Sequence, residues 1–128
     1  GRMKMSYRAQ ARVLCCYGDD GRWLPLIKGA LKTTTWRRWC KGTRDMWQAH
    51  ISSDGAAWLG KMGDAGRFGR LKVATFEFPR TLESMTNAEA VADGAPPGTT
   101  ARQWQASNRK YFEPGFEYCK LTFSYVGP

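Results

Sequence analysis

The chain has 128 residues, 20 Lys and Arg against 11 Asp and Glu, one His and a formal charge of +9. That length fits a single domain able to bury a core without metals or disulfide bridges. No stretch reaches the ~18 apolar residues of a membrane span, and no basic start leads into an apolar run with a cleavage site. The expectation is therefore a cytoplasmic protein with no membrane partner.

Gly1 to Lys4 are set aside as a cloning remnant or disordered start. In the basic part, residues 5–78, Tyr7 to Tyr17 alternates as a strand. Ala9, Ala11, Val13 and Cys15 share one face. Gly18-Asp19-Asp20-Gly21 has turn chemistry, and Arg22 to Lys28 resumes, so residues 7–28 read as a hairpin. Pro25 places the second strand at an edge or bulge. Residues 30–48 are ambiguous. Thr33-Thr34-Thr35-Trp36 favours strand, whereas Trp36, Trp39 and Cys40 recur at helical spacing. Met46 to Ser52 and Ala57 to Met62 flank Ser53-Asp54-Gly55-Ala56, a second hairpin signal. Gly60 to Gly69 is a glycine-spaced loop, and Arg70 to Phe78 is a strand ended by Pro79.

The remainder, residues 79–128, has a different texture. Thr86-Asn87-Ala88-Glu89 is a capping box opening a short helix to Asp93, stopped by Gly94. Thr99 or Thr100 caps a second helix, Ala101 to Phe112, with Ala101, Trp104, Asn108 and Tyr111 on one face. Phe116 to Val126 is a final strand. The predicted fold is α+β in one domain: a mostly antiparallel, strongly curved sheet, hairpin-rich in its N-terminal part, with two short helices and a returning C-terminal strand. A curled sheet or small barrel is its most specific version.

Charge and aromatics are segregated along this layout. Residues 1–72 hold 15 Lys/Arg against 5 Asp, a balance of +10, and residues 73–128 hold 5 against 6 Asp/Glu, a balance of −1. Five of the six Trp lie in the first part: Trp23, Trp36, Trp39, Trp47 and Trp58. Cations displace counterions from phosphates, and indoles offer stacking faces for bases.

No motif specifies a reaction. Cys15, Cys16, Cys40 and Cys119 have no zinc-ligand spacing and read as buried thiols, with a Cys40–Cys119 bridge or a site with His50 as the alternative. His50, in a predicted strand before a turn, has Asp45 or Asp54 as its only nearby partners for base chemistry. Asp19, Asp20, Asp54 and Asp64 are explained by turns. No catalytic residue, metal or cofactor is assigned. The loop Gly60 to Arg70 combines glycines with Lys61, Arg67 and Arg70 and can form an anion nest. The segment from Trp36 to Trp47 packs four cations and three indoles into twelve residues. It reads either as two core indoles with a solvated arginine rim, or as a stacking and phosphate-binding surface.

The function expected is non-catalytic nucleic-acid binding, with single strands favoured because no recognition helix carries the basic residues. Phosphates would be held by Arg37, Arg38, Lys41, Arg44, Lys61, Arg67 and Arg70, with bases on Trp36, Trp39 or Trp47. Two alternatives share the same features. One is a protein-interaction or assembly module that meets an acidic protein surface. The other is a domain that binds a nucleotide or another anionic small molecule.

Overall fold

Two long strands with alternating side chains build the centre of the sheet. The computed structural model describes residues 13–14, 23–38, 42–52, 57–60 and 67–127. The elements in chain order are β1 (Val13–Leu14), α1 (Trp23–Lys28), β2 (Thr34–Arg38), α2 (Thr43–Ser52), β3 (Ala57–Gly60), β4 (Arg67–Arg80), a 3₁₀ turn (Leu82–Ser84), α3 (Asn87–Ala92), α4 (Ala101–Ser107) and β5 (Tyr118–Gly127). The sheet order is β1-β3-β4-β5-β2. Among the described residues only the short β1–β3 pairing is parallel, and β3–β4, β4–β5 and β5–β2 are antiparallel. The mostly antiparallel α+β expectation therefore stands. Among the described residues the sheet is open, with β1 and β2 at its edges, so it is not a closed barrel. Register shifts interrupt β4–β5 at Arg70/Leu71, Val73/Thr75 and Glu77/Arg80, and such bulges bend a strand and increase its twist.

Two N-terminal expectations are corrected. Residues 23–28 are helical, and β1 pairs with β3, so the 7–28 hairpin is not formed as predicted. Trp23 and Ile27, at i and i+4, are the buried residues of α1. Pro25 lies in the first turn, where a backbone N–H has no intrahelical acceptor to lose. Likewise Met46 to Ser52 belongs to α2 and not to a strand. Trp47 and His50 are buried and Met46 and Ile51 half-buried, a helical stripe that repeats at three and four residues. The ambiguous stretch 30–48 thus splits into a strand and the start of a helix.

The C-terminal part follows its local signals closely. Glu89 N–H donates to Thr86 Oγ1 at 3.0 Å and Thr86 N–H to Glu89 Oε1 at 2.9 Å, which forms the predicted capping box of α3. Ala95 N–H donates to Ala90 O and Gly94 N–H to Val91 O, each at 3.0 Å, the Schellman pattern that ends the helix. Gly94 has φ +119° there. Thr100 caps α4 through Gln103 N–H at 3.1 Å. That helix ends at Ser107, five residues short of the expected Phe112, with the Asn108 side-chain amide donating to Trp104 O at 3.0 Å at its C-cap. β5 starts at Tyr118, which leaves Phe116 in the preceding loop.

The core gathers indoles from three helices and a strand, among them Trp23, Trp36, Trp47 and Trp104, with Leu71 and Leu121 from the sheet. Lys32 is 4% exposed, yet its ammonium donates to Thr34 O at 2.9 Å, Asp93 O at 2.7 Å and Asp93 Oδ1 at 3.0 Å. Trp104 Nε1 donates to the other Asp93 oxygen at 2.8 Å. These bonds use all three ammonium protons, as burial of a charge requires. They join the start of β2 to the end of α3 and to α4. Cys119 is fully buried; Cys15, Cys16 and Cys40 lie outside the described residues.

Candidate nucleic-acid interface

Register assembles one face of the sheet from residues far apart in sequence. Cα partners run across β2, β5 and β4 as Thr34–Thr122–Thr75, Trp36–Lys120–Glu77 and Arg38–Tyr118–Arg80. Side chains alternate across a strand, so these rows share a face with Lys72 and Ser124. The opposite face carries Thr35, Arg37, Leu121, Val73 and Phe123. Along β5, this first face passes from buried Tyr118 through half-buried Lys120 and Thr122 to exposed Ser124 and Val126. On β4, Arg70, Lys72 and Thr75 are exposed, while Leu71 and Val73 are buried. From Tyr118 to Ser124 the face extends ~20 Å along the strands at ~3.3 Å per residue.

One end of the face is occupied by a charge cluster. Arg80 donates to both Glu89 oxygens at 2.8 Å, to Glu77 Oε1 at 3.0 Å, and to Ser84 Oγ and O at 3.1 Å. Its guanidinium also lies 4.7 Å from the centroid of the Trp36 ring. Lys120 Nζ donates to Glu89 Oε2 at 2.9 Å and lies 3.4 Å from Glu77 Oε2. The hydrogen bonds from Arg80 hold the Glu89 carboxyl well below the usual carboxylate range, with Lys120 and the Thr86 N–H assisting against burial. The same Glu89 bonds raise the pKa of Arg80. Two cations meet two carboxylates here, so the cluster is neutral and structural. The exposed positive charge of the face comes from Arg38, Arg70 and Lys72.

The sequence-predicted residues divide accordingly. Arg38 and Arg70 lie on this face, and Arg37 lies behind it, opposite Cys119. Arg44 is exposed on α2, 5.6 Å from the Phe78 ring centroid. Trp36 and Trp47 are 6% and 4% exposed and belong to the core, so neither presents an indole face for a base to stack on. Burial of both indoles, with Arg38 and Arg44 exposed beside them in sequence, matches the core-and-rim alternative for those two residues. Trp39, Lys41 and Lys61 lie outside the described residues, and Arg67 is placed only as the first residue of β4. His50 is on α2, not in a strand, and its ring meets Trp47 edge-on at 5.4 Å. Among the described residues no group of His, Cys, Asp and Glu is arranged to hold a metal, and no helix is long and apolar enough to cross a membrane.

Sequence reasoning missed Lys72 and Phe116. Lys72 alternates with Arg70 in a strand whose buried residues are Leu71 and Val73, a signal that was available. Phe116 is 40% exposed, and the Arg38 guanidinium lies 3.6 Å from its ring centroid. That contact crosses 78 residues of chain and had no local signal.

The architecture is thus an open, mostly antiparallel α+β sheet with short helices. No family model matches the chain, and no curated protein matches it. Among solved structures it is similar to the ASCH domain from Lactobacillus crispatus JV V101, with a TM-score of 0.65 and 10% identity over 100% of this chain and 87% of that one. At that identity the likeness is one of fold.

Proposed function

We propose that this protein binds nucleic acid, with single strands favoured, through the sheet face that carries Arg38, Arg70 and Lys72. The observation that supports this most is the combination on one face of exposed cations with the hydroxyls of Thr75, Thr122 and Ser124, donors suited to phosphate and sugar oxygens. Of the acidic residues nearby, Glu77 and Glu89 are already engaged by Arg80 and Lys120, and Glu113 offsets only Arg38, through an exposed contact at 3.5 Å. The face therefore keeps a positive field despite them. A sheet surface suits an unpaired strand better than a duplex groove, which admits a helix or a two-stranded ribbon. Arg37 and Arg44 lie elsewhere and contribute to the long-range field. An ASCH-like fold is compatible with this reading.

The test is a double variant, Arg70→Gln with Lys72→Gln. Both residues are exposed, so the thermal midpoint should stay within about 3 °C, while affinity for unrelated single-stranded oligonucleotides should fall by a similar factor for each. Unchanged affinity in the double variant, or no binding by the unaltered protein at low salt, overturns the proposal.

A further inference from the structure

We infer that Phe116, backed by Arg38, is the position on which an unpaired nucleobase stacks. This rests on the nucleic-acid reading above and assigns a base-contacting residue that the buried Trp36 and Trp47 cannot provide. Two aromatic side chains in the described structure are large and exposed, Tyr111 at 37% and Phe116 at 40%. Both sit in the loop between α4 and β5. The loop is pinned from within. Phe112 is buried against Tyr118, with ring centroids 6.4 Å apart. Glu113 N–H donates to the Tyr118 hydroxyl at 2.7 Å, and that hydroxyl lies 3.2 Å from Glu113 O. The loop backbone is thus held to the first residue of β5 while Phe116 stays outside.

Arg38 ends β2 and faces Tyr118 in register. At 3.6 Å from the ring centroid its guanidinium stacks on one face of Phe116. The accessible part of Phe116 therefore belongs to the other face and the rim. A guanidinium stacked on a ring keeps its N–H edge in the plane, directed outward. Among the described residues that edge meets the Glu113 carboxylate at 3.5 Å, with the two side chains 51% and 60% exposed, a pairing of little strength. The arrangement presents an aromatic face for a base and a forked donor for the neighbouring phosphate. A cation behind the ring also stiffens the platform before any ligand arrives, which lowers the ordering cost of binding. Glu113 opposes the phosphate and makes its own removal informative.

The experiment measures fluorescence anisotropy with two short labelled strands of equal charge, an oligothymidylate and the same strand with abasic positions. The unaltered protein should prefer the base-bearing strand by roughly 5- to 150-fold, the range of one aromatic–base stack. Phe116→Leu should abolish that preference and leave abasic binding unchanged, Phe116→Trp should keep it, and Glu113→Gln should tighten both strands by a similar factor. If the unaltered protein binds but Phe116→Leu leaves the preference as it was, or Phe116→Trp loses it, the stacking assignment is overturned and the nucleic-acid reading survives. Binding to neither strand overturns both.

Discussion

Replacing Glu89 with Gln tests whether the charge cluster holds α3 to the sheet. The carboxylate receives two bonds from Arg80, one from Lys120 and one from Thr86 N–H. Gln is nearly isosteric and keeps one acceptor, so packing and the backbone cap survive while Arg80 and Lys120 lose their counter-charge. Breaking a buried pair in this way costs ~3–5 kcal/mol. The side chains retain 14–17% exposure, which admits some water and lowers the cost to about 2–3 kcal/mol. At roughly 4 °C per kcal/mol for a domain of this size, the midpoint should fall by ~8–12 °C at neutral pH. Glu77→Gln is the reference: its side chain is 43% exposed, and it should cost no more than about 1 kcal/mol.

The pH dependence separates charge from shape. Arg80 lowers the folded-state pKa of Glu89. Its stabilisation is therefore complete above the unfolded value near ~4.3 and is lost as pH falls from there towards the folded value. The gap between the unaltered protein and Glu89→Gln should narrow by about 1.4 kcal/mol per pH unit below ~4.3. Thermal melts from neutral pH to about pH 3 read it directly. Equal melting of Glu89→Gln and Glu77→Gln, or a gap unchanged at low pH, refutes the argument.

Three further outcomes follow from single contacts. Lys32→Met leaves the buried Asp93 with the Trp104 N–H but no cation, and chemical denaturation should show a loss of ~3–5 kcal/mol. Gly94→Ala places a Cβ 3.0 Å from Trp23 Cζ3 at a backbone φ of +119°, and should lower stability by ~1–3 kcal/mol in the same assay. Thr100→Ala removes the α4 cap, and a loss of about 1 kcal/mol is expected with the far-ultraviolet spectrum unchanged.

The readable parts of this sequence were those governed by neighbours in the chain. Thr86 and Glu89 announce a helix start three residues apart, Gly94 its end, and Leu71 and Val73 alternate with Arg70 and Lys72 to mark a strand. The unreadable parts depend on partners brought together by folding. Trp23 and Ile27 form one side of a short helix, but six residues with a proline admit a strand equally well. Met46, Trp47, His50 and Ile51 make a helical stripe that the following Asp54-Gly55 turn signal overrode. The basic, aromatic segment from Trp36 to Trp47 is divided by the backbone. Successive residues of β2 point to opposite faces, so Trp36 and Arg38 are separated from Arg37, and burial takes Trp36 and Trp47, two of the indoles that the charge pattern had offered to bases. Phe116 joins Arg38 only because β2 pairs with β5.

The salt dependence of single-strand binding tests the central claim most directly. Three phosphate contacts, from Arg38, Arg70 and Lys72, predict that log Kobs falls with log salt at a slope of at least about −2, since each contact on a single strand contributes ~0.7. Replacing any one of the three with Gln should flatten that slope by ~0.7. A slope near zero, or the same slope after all three are replaced, contradicts the assignment of this face.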